Sequence, residues 1–448
     1  MIGVLVVDIT KNNILATVDV TSYTSLKDLY EVLLSLKKDE FADDERIVVV
    51  YHSEKQLKLV TELLTTIDIP EFFIIFETTN NCGGINFSFS DSFCIYPWIN
   101  LRISTVGNIS PCCMNNKTIS NLSQTTIQEA YHSDMMKGLR HSFLTGKFPN
   151  SCVSCWKEEA ISKPSMRQRA KHKFKEIYYR LNYQKENINN LQLFDLNLGN
   201  ACNLNCKICN KDSSSSIAEQ EYADGIISTV EFQELKKSVN WADTEEFWNQ
   251  LLSHIENIKY LDLYGGEPLM SKMHFNFLKK LIASGVAENI KIDYNTNGTM
   301  FSEKFFELWR HFKEIKLSFS IDDIESRFES QRLGAKWKNV CNNIKKFNSL
   351  KSEKFITEVY PTINTQNVLY IPELISWINT QQFDYMSFNI LHAPEQYNIL
   401  SMATQDKIAV IEKLKNYSHY DICNSVIKLL NDSIDVAKNY RQITINKV

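Results

Sequence analysis

Leu191 to Cys209 reads LQLFDLNLGNACNLNCKIC, and Cys202, Cys206 and Cys209 within it form the pattern C-x3-C-x2-C. The run Leu191 to Leu198 ahead of them alternates apolar and polar side chains, which predicts a strand. Gly199 and Asn200 break the alternation, so the cysteines fall on a loop at the strand's C-terminal end. Three thiolates on one short loop can converge on a single metal centre. Bound to a cubane of four irons, they leave one iron open to an exchangeable molecule. A zinc site wants a fourth Cys or His close by. The nearest histidines, His172 and His254, are not at ligand spacing. The spacing therefore favours iron–sulfur over a zinc knuckle or three separate buried thiols.

The chain has 448 residues, enough for about two to four domains with cores of their own. Lys and Arg number 49 and Asp and Glu 53, a net charge of −4 that gives no strong pull toward nucleic acid or an anionic membrane. The opening MIGVLVVDIT has no basic region and carries Asp8 in its apolar run, which argues against a signal peptide. No apolar run reaches the ~20 residues of a membrane helix. Eleven cysteines without an export signal point to metal ligation in a reducing cytoplasm rather than to disulfides. Nine of the eleven lie between Cys82 and Cys209; Cys341 and Cys423 stand alone and read as packed core thiols.

Residues 1–80 read as a small α/β unit. Strands are expected at Gly3–Asp8, Arg46–Tyr51 and Phe72–Phe76, and helices at Ser25–Leu36 and Glu54–Thr65. The strand–helix–strand order from Arg46 predicts parallel pairing. No phosphate loop or catalytic cluster stands out there, which suits a docking or scaffold role.

Residues 81–185 carry a second cysteine set. Cys94, Gly107 and Cys112 give C-x12-G-x4-C, and Cys152 and Cys155 give a later C-x2-C. Leu101 to Val106 alternates as the first arm of a hairpin, Gly107-Asn108 supplies the turn, and the chain returns from Ile109. Two cysteine pairs around such a turn can wrap a four-ligand cluster. The same spacing leaves a zinc ribbon open. Beyond them, MRQRAKHKFKEIYYR, Met166 to Arg180, reads as one strongly basic helix, either an anion-binding patch or a solvated linker face.

Residues 186–400 repeat strand and helix. After the first strand come Tyr260–Tyr264, Ile290–Tyr294, Ile315–Ser320, Phe355–Tyr360 and Tyr385–Ile390, separated by helical periods such as Phe275–Ile282 and Trp337–Phe347. Such alternation implies parallel strands with helices outside, closed or partly closed. Ligands of such barrels collect at the C-terminal strand ends. The polar clusters fall there: Gly265-Gly266-Glu267-Pro268, Asn295-Thr296-Asn297-Gly298, and Asp322. Residues 401–448 predict two helices, near Thr404–Tyr417 and Cys423–Ala437.

C-x3-C-x2-C behind a first strand resembles the signature of the radical S-adenosylmethionine (SAM) enzymes. C-x9–15-G-x4-C with a distant C-x2-C is similar to the twitch and SPASM auxiliary-cluster domains found among them. The resemblance covers residues 94 to about 395. It implies an α/β fold: a partial (β/α)6 TIM-like barrel, preceded by a small cysteine-rich auxiliary domain and the N-terminal α/β domain. Its cofactors would be two [4Fe–4S] clusters and SAM. Cys202, Cys206 and Cys209 would hold the SAM-binding cluster. Cys94, Cys112, Cys152 and Cys155 would hold the auxiliary one, with Cys113 a bystander and Cys82 outside the pattern. No further cysteine lies between Trp156 and Ala201, which matches the one-cluster, twitch type.

The resemblance also carries over SAM contacts: Ile208 at the adenine, Gly265, Gly266 and Glu267 at the amino group, and Asn297, Ser320 and Asp322 at the methionine and ribose. Arg332, in QRLGAKW, would meet the SAM carboxylate, which a guanidinium suits. Two departures stand out. Ile208 occupies a position the family usually gives to an aromatic residue, and the auxiliary domain precedes the barrel instead of following it. The implied activity is reductive cleavage of SAM to a 5′-deoxyadenosyl radical that takes a hydrogen atom from a substrate. No catalytic side chain is assigned beyond the cluster. A peptide or protein side chain is the favoured substrate; a small molecule such as an aminocyclitol or sugar is the alternative. An electron donor such as flavodoxin or ferredoxin completes the expected partners, with neither nucleic acid nor membrane. A zinc protein binding nucleic acid or another partner is the competing class, and it would need a basic surface.

Overall fold

A computed structural model describes residues 92–160, 164–181 and 187–445, and the backbone of four strands nearer the N-terminus. The helices expected at Ser25–Leu36 and Glu54–Thr65, and Cys82, lie outside the described residues. The four strands are β1 (Gly3–Asp8), β2 (Asn13–Asp19), β3 (Glu45–Tyr51) and β4 (Ile74–Thr78), in the order β2-β1-β3-β4. β3 and β4 pair in parallel, as the strand–helix–strand reading requires, while β1 runs antiparallel to β2 and β3. β2 was not predicted, and β4 starts two residues later than the expected Phe72.

The chain forms two compact units. The first comprises Met1–Asn100, Pro111–Ile119 and Gln128–Leu191; the second, Leu101–Ser110, Ser120–Ile127 and Gln192–Val448. In the first unit, the helices Asp134–Leu144, Val153–Ala160 and Met166–Lys173 surround the second cysteine set. Tyr131 Oη donates to the carbonyls of Trp98 and Asn187, and Arg140 Nε donates to Pro97 O at 2.9 Å. The basic run is two helices rather than one. It breaks at the buried Phe174 (φ −109°, ψ 31°) into Met166–Lys173 and Lys175–Arg180. Ser165 and Gln168 form a capping box at its start, which satisfies two otherwise orphaned amides.

The second unit is built on a nine-stranded sheet. Its strands are β5 (Asn100–Ile103), β6 (Asn108–Ser110), β7 (Ser120–Asn121), β8 (Leu193–Asn197), β10 (Tyr260–Tyr264), β11 (Lys291–Thr296), β12 (Glu314–Phe319), β14 (Phe355–Val359) and β16 (Tyr385–Met386). The order is β16-β14-β12-β11-β10-β8-β5-β6-β7. The pairings from β8 through β10, β11, β12 and β14 to β16 are all parallel, which gives the six strands of a partial barrel. The sixth is shorter than expected. After Met386 the chain leaves β14, and β17 (Asn389–Ile390) pairs instead with β15 (Thr362–Ile363). The predicted hairpin is β5–β6, closed by Gly107 N–H to Ser104 O at 2.9 Å with Gly107 at φ +79°. Although it lies between Cys94 and Cys112 in sequence, it extends the barrel sheet beside β8.

Register sorts the side chains onto two faces. Leu196, Leu263, Tyr294 and Leu317 occupy one face and are buried. The helices Lys272–Ala283, Glu303–Trp309 and Trp337–Ser349 present buried Phe277, Leu281, Trp309 and Phe347. The other face is polar: Asp195, Asp262, Asp293 and Lys316 are register partners along one rung. Lys316 Nζ lies 3.4 Å from both Asp293 and Glu358, and Ser318 and Ser387 donate to Glu358 at 2.6 Å.

The two C-terminal helices are Thr404–Lys415 and Asp421–Ile445, packed through Val410, Leu414, Val426 and Leu430. Cys423 is a core thiol of that cluster, as expected, whereas Cys341 is only half-buried. Among the described residues, no helix is long and apolar enough to cross a membrane. Leu317 and Asn295 test the two faces. Leu317→Ala should cost about 2–5 kcal/mol in urea unfolding, and Asn295→Ala, exposed on the polar face, no more than about 0.5 kcal/mol. Similar costs at the two positions would contradict the register.

Candidate functional site

The loop after β8 is shaped by short polar side chains. Asn200 Nδ2 donates to Lys211 O at 3.0 Å, Ser214 Oγ to Leu204 O at 2.7 Å, and Ser215 Oγ to Cys202 O at 3.2 Å. These bonds fold the chain from Ala201 to Asn210 back on itself and gather Cys202, Cys206 and Cys209, all half-buried. Amides of Leu204 and Asn210 donate to the sulfurs of Cys202 and Cys209. Burial is the main cause that raises all three thiols, Cys206 to about 12. Deprotonating them together needs a strong local positive charge, which a bound metal centre supplies.

Gly265 and Gly266 have φ of +85° and +52°. A Cβ on Gly265 would overlap the Asn197 side chain, and one on Gly266 would overlap the Ala201 carbonyl. Only glycine lets the end of β10 lie this close to the start of the cysteine loop. The approach is fixed by Glu267 N–H donating to Ala201 O at 2.7 Å. The Glu267 side chain points inward and is almost fully buried. It accepts from Thr296 Oγ1 at 2.9 Å, from Asn297 N–H at 2.8 Å and from Leu269 N–H at 3.3 Å. It therefore ties the end of β10 to the end of β11, a positioning task in addition to the SAM contact expected of it.

Asn297 Nδ2 lies 3.0 Å from Asn203 Oδ1 and 3.9 Å from Cys202 Sγ, which sets it beside the first cysteine. Arg332 is buried, with Nη2 2.7 Å and Nε 2.9 Å from Asp322 Oδ2 and Nη1 3.9 Å from Cys206 Sγ. Its backbone forms β13 (Arg332–Leu333), antiparallel to β9 (Asn205–Cys206), a clip that holds the middle of the cysteine loop. Arg332 and Asp322 are thus partners of each other. The sequence had assigned them separate ligand contacts. Ile208 is half-buried on the loop. Ser320 donates its amide to Thr296 O at 2.9 Å, and among the described residues no side-chain bond of it bears on the site. Thr296 was noted in a strand-end cluster without a role, and Asn203, Ser214 and Ser215 were missed. The serine run 213–216 after the third cysteine was the visible signal for the last two.

The second cysteine set also converges. Cys94, Cys112, Cys152 and Cys155 line one cavity, with Tyr96, Asn115, Met166 and Arg167 in its wall. The two chain ends of the hairpin are joined by Asn100 Nδ2 donating to Pro111 O at 2.7 Å. Amides of Tyr96, Met114 and Arg167 donate to the sulfurs of Cys94, Cys112 and Cys155. Burial raises these thiols too, Cys152 to about 11. Cys113 is exposed, does not line the cavity, and touches Met166 Sδ at 3.3 Å. Among the described residues, no three His, Cys, Asp or Glu are gathered tightly enough for a single metal ion. Four thiols spread around a cavity suit a larger cluster.

Residues 196–378 match the radical SAM superfamily, and residues 94–156 match the iron–sulfur cluster-binding SPASM domain. The radical SAM cyclopropyl synthase TigE of Paramaledivibacter caminithermalis is 24% identical over 288 residues, 59% of this chain and 54% of that one. The chain thus spans about half the length of this curated relative. Streptococcus suis SuiB is a similar solved structure at 15% identity, with a TM-score of 0.35 over 74% of this chain and 69% of that one. Another is anSMEcpe with bound AdoMet and Cp18Cys peptide, at 17% identity and a TM-score of 0.34 over 52% and 61%. The matched segments contain both cysteine sets, Cys202 to Cys209 in the first and Cys94 to Cys155 in the second.

Two outcomes test this geometry. Burial pushes the Glu267 carboxyl up to about 7 from 4.5, so the folded state holds its proton longer than the unfolded chain does. Its contribution to stability is then full below pH 4.5 and lost as pH rises through about 7. Urea midpoints of metal-free protein should fall between pH 4.5 and 7, and Glu267→Gln should flatten that slope. Separately, Cys152→Ala with Cys155→Ala should remove about four irons per chain, whereas Cys113→Ala should remove none. Equal iron in the double variant and the wild type would refute the four-thiol cluster.

Proposed function

We propose that this radical SAM protein, whose SPASM domain precedes its barrel, modifies a peptide or protein side chain by hydrogen abstraction. One observation carries the reading: the Cys202–Cys209 loop sits at the C-terminal end of β8, against Gly266 and Glu267 from β10 and Asn297 from β11. Three thiols, a buried carboxyl group and close-lying backbone meet where a parallel α/β sheet binds its ligands. When bound, a [4Fe–4S] cluster there supplies the electron that cleaves SAM to a 5′-deoxyadenosyl radical, and a second cluster at Cys94, Cys112, Cys152 and Cys155 supplies one-electron transfer or substrate ligation.

The residues have separable tasks. Cys202, Cys206 and Cys209 would hold the first cluster. Gly265 and Gly266 would let backbone carbonyls approach the SAM amino group, and Glu267 ties the ends of β10 and β11. Asn297, Ser320, Asp322 and Arg332, the last two as an ion pair, would border the remainder of the SAM, and Ile208 would meet its adenine.

The sheet runs from β16 at one edge to β7 at the other without closing, and an unclosed barrel would suit a substrate as large as a chain segment. Its charged inner rung suits a hydrophilic substrate group. A hydroxyl-rich small molecule such as an aminocyclitol would suit that rung as well, and the mass of the product distinguishes the two. A small reductant such as flavodoxin or ferredoxin would deliver the electrons.

Reconstituted anaerobically with iron, sulfide, dithionite and SAM, the wild type should release 5′-deoxyadenosine. Replacing Cys202, Cys206 and Cys209 together by Ala should abolish it. Undiminished release from the triple variant would overturn the reading.

A further inference from the structure

We propose that Arg167 tunes the reduction potential of the cluster held by Cys94, Cys112, Cys152 and Cys155, with Glu159 as the opposing charge. The proposal rests on the auxiliary-cluster assignment above. Among the described residues lining that cavity, Arg167 is the one with a fixed charge; its other walls are thiols, thioethers, aromatic rings and an amide. The Arg167 side chain is only 10% exposed. Three contacts fix it. Nη1 donates to Phe93 O at 2.8 Å, one residue before Cys94. Nε and Nη2 donate to the two Glu159 oxygens at 3.0 and 2.6 Å. The guanidinium carbon lies 5.1 Å from the Trp156 ring centre. Glu159 is also held by Ser165 Oγ, which donates to its Oε1. The backbone amide of Arg167 donates to Cys155 Sγ, so the residue meets one of the thiols through its main chain.

The pair is neutral as a whole but not symmetric about the cavity. Arg167 lines it and Glu159 does not; the Arg167 charge acts on Cys94, Cys152 and Cys155, and Glu158 and Glu159 oppose it at Cys155. Four thiolates already make an iron–sulfur centre anionic, and one-electron reduction adds a further negative charge. A cation nearby stabilises the more anionic reduced form and raises the potential; an anion lowers it. Burial keeps water and salt from screening the effect. Arginine suits the task because its charge does not titrate and its fork can grip a carboxylate and a carbonyl at once. A raised potential favours electron delivery from a substrate radical and hence a net oxidation of the substrate. The basic stretch around Met166 then has one member with a specific assignment, Arg167, at the start of its first helix.

The test uses the full chain with Cys202, Cys206 and Cys209 replaced by Ala, so that only the auxiliary cluster can form. After anaerobic reconstitution and metal analysis, its midpoint is read by potentiometric titration followed by electron paramagnetic resonance. In this background Arg167→Gln should lower the ratio of reduced to oxidised cluster at fixed potential by about tenfold, about 59 mV for one electron. Glu159→Gln should move it the other way, and Arg167→Lys should stay nearer the parent than Arg167→Gln. Unchanged midpoints in Arg167→Gln and Glu159→Gln would overturn the proposal. If Arg167→Gln fails to retain iron, Glu159→Gln decides alone: an upward shift supports the tuning and no shift refutes it. Zinc, or no iron, in the parent would sink the cluster assignment and this proposal with it. Iron with unmoved midpoints would sink the tuning alone.

Discussion

The approach of Gly266 to Ala201 is the contact on which the rest of the site depends. β8 and β10 are neighbours, and their C-terminal ends carry the cysteine loop and the Gly-Gly-Glu turn. A side chain at either glycine would push these ends apart, because each would strike Asn197 or Ala201. With no side chain there, the Glu267 amide reaches the Ala201 carbonyl. The Glu267 carboxylate can then turn inward and collect donors from the end of β11. One backbone contact thereby sets three consecutive strand ends at hydrogen-bonding distance. A buried carboxylate is costly unless its lone pairs are used, and here three donors use them.

The sheet supplies the second constraint. Its apolar face is sealed by aromatic and aliphatic side chains, including the Tyr294–Trp309 and Phe319–Phe347 ring pairs. That leaves the opposite face free to carry charge. Arg102, Tyr264 and Asp195 come together on it from three neighbouring strands: Arg102 Nε donates to Tyr264 Oη at 3.2 Å, and Tyr264 Oη donates to Asp195. Arg102 comes from the hairpin, so the hairpin is an extension of the barrel in packing as well as in pairing. A strand pair recruited to a sheet edge brings its side chains to the face that the register dictates.

The two cysteine sets solve the same problem in different surroundings. Each buries thiols whose ionisation is opposed by burial, and each offers backbone amides to the sulfurs. The first set lies on one continuous loop clipped by β13. The second is assembled from separate stretches, with Asn115 Nδ2 reaching Cys152 Sγ at 3.6 Å across 37 positions. A loop can fix three ligands locally. Bringing four ligands from distant positions together requires packing, and Tyr131 and Arg140 supply it by gripping the backbone just after Cys94.

What the sequence by itself determined was whatever depends on local pattern. Alternation placed β8, β10, β11, β12 and β14 within about two residues, because a strand's side chains face the core and the opposite face by strict turns. Cysteine spacing separated the two sets, and Gly107 marked the hairpin turn that its positive φ confirms. The tertiary structure alone decided the non-local pairings: Arg332 with Asp322, Thr296 with Glu267, Arg167 beside the thiols, and the hairpin beside β8. Arginine, threonine and aspartate occur at many strand and helix ends with the same local signature. Which of them meet depends on how strands far apart in sequence come to lie side by side, and no periodicity along the chain encodes that distance. The end of the sixth strand shows the same limit. The run to Ile390 reads as one strand, yet Asn389 and Ile390 pair with Thr362 and Ile363, because β14 ends at Val359 and leaves the last residues no partner in the barrel sheet.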